Sequence, residues 1–418
     1  MSVLLPKRYL YQFLFALCIG VLYIEIYELT FVVWSVTAIL TLRNTYSKEI
    51  LRYLFCFVAI MAIAFVVRFF HSEYKSYFII RDVTYLIKPI LGLLIGYQLC
   101  KFNYKKAFQT IVYTALLIAI YHLGTLFVAA AFFHALTVVD LRFWGGYFSD
   151  YEVYAVIILI FHDKFELGFT KKQVFFFTLI IGFSAFMYLA RTNFIQFLIL
   201  FVAMKGYLQI NKTSVAVASF LIVFTIIGYS AILSVNPKRN GPGLEAFLYK
   251  IKNAPIEPFK TKIDVDDWKD FNDNYRSYEN IHTVKQLTRK GTPTMVFGEG
   301  LGSRIDLKRE VMLGDMLLRY ISILHNGFMT VFLKSGLIGV AIYLYTIFLL
   351  FKQKKSTIPI LKSINLLLLG TGIFMIFSNW VFLGLYNLLD NKSILIGFFI
   401  CYKEMTLKNH ARENQLHE

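Results

Sequence analysis

Apolar stretches long enough to cross roughly 30 Å of hydrocarbon as helices recur along this chain from end to end. They lack the period-2 alternation of a membrane barrel. With 57% hydrophobic and only 17% charged residues over 418 positions, the chain carries more apolar material than a soluble core requires. The expected fold class is therefore all-α, a polytopic membrane helix bundle.

Twelve spans are expected, at 8–22, 24–42, 50–70, 78–100, 107–133, 149–163, 172–189, 191–206, 213–234, 324–351, 358–378 and 380–402. This places nine helices in residues 1–234, one long helical loop at 235–323, three helices in 324–402 and a tail at 403–418. Orientation follows from the short connections, because Lys and Arg resist transfer across the membrane. With the N-terminus inside, every connection on that side is basic, from Lys7 and Arg8 through Lys105 and Lys106 to Lys354 and Lys355. The opposite connections are mixed in sign, as with Glu25 and Glu28, or Asp140 and Arg142. Both termini are then expected in the cytoplasm, with the long loop outside. The N-terminal MSVLLPKRYLYQFLFALCIGVLY has no convincing small-residue cleavage site and runs into a second apolar segment, so the first helix is expected to stay.

This topology accounts for much of the net charge of +17, and attraction to membrane lipid headgroups explains it better than a nucleic-acid partner. Cys18, Cys56, Cys100 and Cys401 lie in or beside spans and read as small apolar residues, not as a disulfide framework or metal site. The long loop has prolines at 237, 242, 255, 258 and 293 and is expected to pack as a few short helices. Its best helical candidate is DDWKDFNDNYRSYENIHTVKQLTRK, with Trp268, Phe271, Tyr275, Tyr278 and Ile281 as the buried face. Asp264 and Asp266 read as a solvated acidic run, and no metal is expected.

Three cationic or titratable side chains stand out. Arg191, between two apolar segments, needs an anionic partner or an aqueous cleft, unless it snorkels at the interface. Arg276 lies on the loop helix three residues before Glu279, either as an anion ligand or as half of a surface pair. His325, in RYISILHNGFMTVFLKSGLIG, sits where the loop meets the next apolar helix. Histidine titrates at about pH 6.5, which suits a general base, although an interfacial cap is the plainer role. Asn326 orients His325 or caps its helix. Arg68, Arg81 and Lys88 either help hold an anionic donor or pair with Glu73 and Asp82.

From Arg142 to Gly339 these elements follow one order. RFWGGYFSDYEVYAVIIL has an Arg-x-x-Gly-x-aromatic segment, LARTNFIQFL places Arg191 at a helix start, and NYRSYENI carries Arg276. FGEGLGS supplies Gly298, Gly300 and Gly302, and LHNGFMTVFLKSGLIGV begins with His325 and Asn326. The ordered set resembles the O-antigen polymerase and O-antigen ligase superfamily of bacterial integral membrane glycosyltransferases. Two departures stand out: Tyr151 and Glu152 replace a frequent Pro-Asn pair, and Ala190 replaces the usual serine.

The resemblance implies a donor glycan on undecaprenyl diphosphate, an acceptor glycan or lipid A core, and a site facing the periplasm of the inner membrane. It implies neither metal nor cofactor. Arg191 and Arg276 would fork onto the diphosphate as charge builds on the leaving group. His325 would take the acceptor hydroxyl's proton, with Asn326, Glu279, Arg142 and the three glycines in support. A polymerase is expected, alternatively a ligase to lipid A core, and in another class a lipid-linked sugar flippase. A chain-length regulator is a further expected partner of a polymerase.

Overall fold

The computed structural model describes residues 7–70, 74–135, 137–147, 149–208, 212–239, 244–253, 260–313, 316–354, 356–387 and 389–417. The chain is mostly helical. In order come α1 (Lys7–Gly20), α2 (Tyr27–Leu40), α3 (Lys48–Arg68), α4 (Ser76–Phe102), α5 (Ala107–Phe133), α6 (Val138–Gly145), α7 (Asp150–Ile160), α8 (His162–Phe165), α9 (Lys171–Met187) and α10 (Arg191–Met204). These are followed by α11 (Lys212–Val235), α12 (Leu244–Asn253), α13 (Trp268–Asp273), α14 (Tyr275–Arg289), α15 (Thr292–Phe297), β1 (Ile305–Leu313), β2 (Met316–Ile321), α16 (Gly327–Phe351), α17 (Pro359–Val381) and α18 (Lys392–His417).

Four stretches among the described residues are long and apolar enough to cross a membrane: Lys48–Arg68, Tyr104–Phe133, Gly327–Phe351 and Pro359–Val381. Large apolar side chains point outward along them, Phe55 at 73% exposed and Phe132 at 72%, as on a helix facing lipid. Several other expected spans form shorter helices; α7 has 11 residues and α10 has 14.

The chain divides into two compact units. Unit 1 comprises Met1–Ala62, Val83–Lys205 and Ala341–Glu418; unit 2 comprises Ile63–Asp82 and Gly206–Val340. Within unit 1, α4 and α18 approach closely through small residues. A Cβ on Gly96 would fall 1.9 Å from the Ile394 carbonyl oxygen, and one on Gly397 2.1 Å from that of Leu93.

The structure corrects three expectations. The span at 380–402 is broken: residues 382–387 and 389–391 are non-helical apart from a 3-10 turn at Gly384–Tyr386, and α18 starts only at Lys392, continuing through the expected tail. Gly384 is left-handed there (φ 54°), and the Asp390 carboxylate caps the new helix by accepting from the Ser393 N–H. The loop is not wholly helical. In unit 2, β1 and β2 form an antiparallel hairpin because Ile305, Leu307 and Val311 alternate inward against Phe271, Tyr278 and Leu287. Finally, Trp268 is 71% exposed while Phe271, Tyr275 and Tyr278 are buried, so the loop helix's apolar face begins at Phe271. Pro242, Pro255, Pro258, Glu73 and Lys355 lie outside the described residues.

Across the hairpin Arg319 forks onto Asp306, at 2.9 and 3.1 Å. That bond, helped by Lys308, holds the Asp306 carboxyl below its ordinary range. The stabilisation is therefore present above the ordinary carboxylate pKa and fades as pH falls through the lowered one. Asp306→Asn should raise amide hydrogen exchange across 305–313 at neutral pH, with the difference from wild type closing in strong acid.

Candidate functional site

In unit 2 the site is built around an opened helix. Gly336 adopts φ 65°, which breaks α16 and frees the carbonyls of Leu333 and Lys334 from helical partners. The loop answers them, with Glu299 N–H donating to Leu333 O at 2.8 Å and Gly300 N–H to Lys334 O at 3.1 Å. Such an approach needs glycine. Gly298, Gly300 and Gly302 have φ of 80°, 77° and 84°, and a Cβ on Gly298 would fall 2.6 Å from the Ser335 nitrogen.

Lys334, buried, is neutralised by Asp82 at 2.6 Å and donates to the Ser303 carbonyl at 2.6 Å. Asp82 also accepts from Gly302 N–H at 2.7 Å. Glu299, buried as well, takes Lys290 at 3.0 Å and Gln286 at 2.9 Å.

On this frame two residues of the expected site, Glu279 and His325, come into direct contact. The Glu279 carboxylate, fully buried, accepts from His325 twice: Nδ1 at 2.9 Å and the backbone N–H at 2.9 Å. The His325 side chain is 48% exposed. With a carboxylate facing Nδ1, that nitrogen carries the proton and Nε2 is left as a proton acceptor. Tyr275 meets the imidazole edge-on at 5.6 Å. Burial, reinforced by Glu279, pushes the Tyr275 hydroxyl above its ordinary range, so it stays neutral beside the carboxylate. Asn326 accepts from Met329 N–H at 3.1 Å and so caps α16.

Arg276 is half-buried on α14, three residues before Glu279 and so on the same helical face. Two more arginines gather on Phe78, Arg304 at 4.3 Å and Arg81 at 5.2 Å from the ring centroid. Arg81 also donates to the hydroxyl of Ser322, three residues before His325. Arg304, Lys334 and Glu299 were not singled out from sequence. The available signal for Lys334 was a lysine inside an apolar run.

Arg191 and Arg142 belong to unit 1. Arg191 is the exposed first residue of α10 and makes no ion pair among the described residues. Arg142, in α6, lies over Tyr147 at 5.3 Å. Unit 1 also buries a charge cluster that sequence reasoning missed: Lys392 bridges Asp150 and Asp390, and Lys88 donates to the carbonyls of Asn387 and Asp390. Lys88 therefore serves the broken segment before α18. Cys18, Cys56, Cys100 and Cys401 are all free and buried.

Comparison of the chain with models of known families, with curated proteins and with solved structures finds no match.

Because truncating one partner strands a buried charge, Lys334→Ala should cost about 3–5 kcal/mol. The double change Asp82→Asn with Lys334→Met should recover most of it, as read by thermal unfolding in detergent.

Proposed function

We propose that this chain is a membrane glycosyltransferase of the O-antigen polymerase type, moving a glycan from undecaprenyl diphosphate to a sugar hydroxyl of another lipid-linked repeat unit. The observation that carries the proposal is the buried Glu279 holding a half-exposed His325 through both ring and backbone. A carboxylate in that position orients the imidazole and stabilises the imidazolium formed when Nε2 takes the acceptor's proton. Arg276 on the same face, Arg81 bonded to Ser322 three residues before His325, and Arg304 beside Arg81 on the Phe78 ring supply guanidinium groups of the kind that neutralise a departing diphosphate. In this proposal Arg191 is a further ligand of the diphosphate, twelve spans cross the inner membrane with both termini cytoplasmic, and the 235–323 loop faces the periplasm. Attack opposite the leaving group inverts the anomeric centre, without metal or cofactor.

The ligase alternative shares donor and base and differs in acceptor. Loss of a polymerase leaves single repeat units on the lipid A core, whereas loss of a ligase leaves the core uncapped. A transporter of lipid-linked sugars draws support from the buried Lys88, Asp150, Asp390 and Lys392. These charges, however, cluster around the starts of α7 and α18, where they cap and tie down chain ends. A transporter would move lipid-linked sugar across proteoliposomes without extending it.

His325→Ala should lower chain extension from purified undecaprenyl-linked repeat units by about 10²–10⁴-fold with protein level intact. Full activity would remove the base. Arg191→Lys should be nearly as damaging as Arg191→Ala where forked phosphate contact matters; a fully active lysine variant would identify an interface anchor instead.

A further inference from the structure

Unit 1 contains a cavity of about 190 Å³ that the transferase chemistry above does not use, bordered by Glu25, Tyr121, His122, Trp144, Gly145 and Tyr188 among others. It is smaller than the roughly 300–1,000 Å³ typical of pockets for drug-sized ligands, so one six-membered ring is about what it admits.

Its polar wall is unusual. His122 is only 2% exposed and stacks on Tyr188 with ring centroids 3.8 Å apart. Its Nδ1 is hydrogen-bonded to the Ser184 hydroxyl at 2.8 Å, yet Nε2 has no partner among the described residues. A buried ring nitrogen left unpaired is costly unless a ligand completes it. Gly145 packs close to that nitrogen, where a Cβ would sit 2.7 Å away, so any larger residue would close the approach to it. On the rim, Glu25 is held in the left-handed conformation at φ 60°, with its carboxylate oxygen 4.0 Å from where a Cβ on Gly146 would lie. Tyr121 and Trp144 present exposed aromatic surface to the same space, at 63% and 40% exposure.

We propose that this cavity is a binding site for a single neutral sugar ring, separate from the His325 centre. A pyranose offers an apolar C–H face to aromatic rings and a rim of hydroxyls to an imidazole and a carboxylate, which matches both halves of the lining. An acyl chain would leave Nε2 and Glu25 unanswered. A phosphate would be repelled by the Glu25 carboxylate. The inference stands on unit 1 alone and goes beyond the transferase proposal.

The test uses full-length protein in lauryldimethylamine oxide, a detergent with no sugar headgroup, titrated calorimetrically with methyl glycosides of glucose, galactose and N-acetylglucosamine. Saturable binding of at least one glycoside is expected, weakened about tenfold or more by His122→Phe and by Gly145→Ala, and unchanged in His325→Ala. Trp144→Phe, at a partly exposed position, should abolish the sugar-induced fluorescence change even if a buried variant fails to fold. No saturable binding by any glycoside, binding indifferent to both His122→Phe and Gly145→Ala, a sugar-induced fluorescence change that survives Trp144→Phe, or uptake of octanoate in place of sugar would each overturn the proposal. Because chain extension is read separately, absence of glycoside binding to wild-type protein that still extends chains sinks this site alone.

Discussion

A helix interrupted inside an apolar segment must have its stranded carbonyls satisfied by protein, since no water is at hand to do so. That requirement governs unit 2. The opening of α16 at Gly336 draws in the 298–302 turn, whose N–H groups replace the lost helical donors. Only left-handed glycines allow the two backbones to come so close. The Lys334 ammonium lies on the same opened segment, and its pairing with Asp82 ties the turn, the helix and the start of α4 into one fixture. The chain leading to His325 is thereby anchored on both sides.

Exposure separates the charges that hold this molecule from the one suited to chemistry. Lys334 and Asp82 in unit 2, like Lys88 and Lys392 with Asp150 and Asp390 in unit 1, are sealed from solvent with their charges matched. Groups so placed are fixtures, because any substrate would have to displace a buried ion pair to reach them. His325 combines a sealed partner with an open ring. A fixed acceptor behind and an accessible nitrogen in front is the arrangement a proton-transfer group needs.

Much of the helical frame was legible because long apolar runs specify helices with little ambiguity; α5 spans Ala107–Phe133, the range its hydropathy indicates. The loop helix was also visible, from the spacing of Phe271, Tyr275 and Tyr278. What hydropathy concealed were single charges. Asp390 and Lys392 vanish into the average of a long apolar window, so the break before α18 was read as continuous span. The hairpin was missed although Ile305, Leu307 and Val311 alternate, because the intervening Asp, Lys, Arg and Glu resemble a loop. At the site, a histidine and an acid are both visible in the residue order but their pairing is not: Glu279 and His325 are 46 positions apart, and the neighbouring Arg276 is the more obvious partner for Glu279.

The two-point grip of Glu279 on His325 has one more implication. One of its oxygens rests on the main-chain N–H of residue 325, a contact that any amino acid at that position retains. Excising the imidazole would thus leave the carboxylate still moored, facing a vacancy shaped like the missing ring. A small diffusible base such as free imidazole could lodge there and restore turnover, making the scaffold a template that outlives its own side chain.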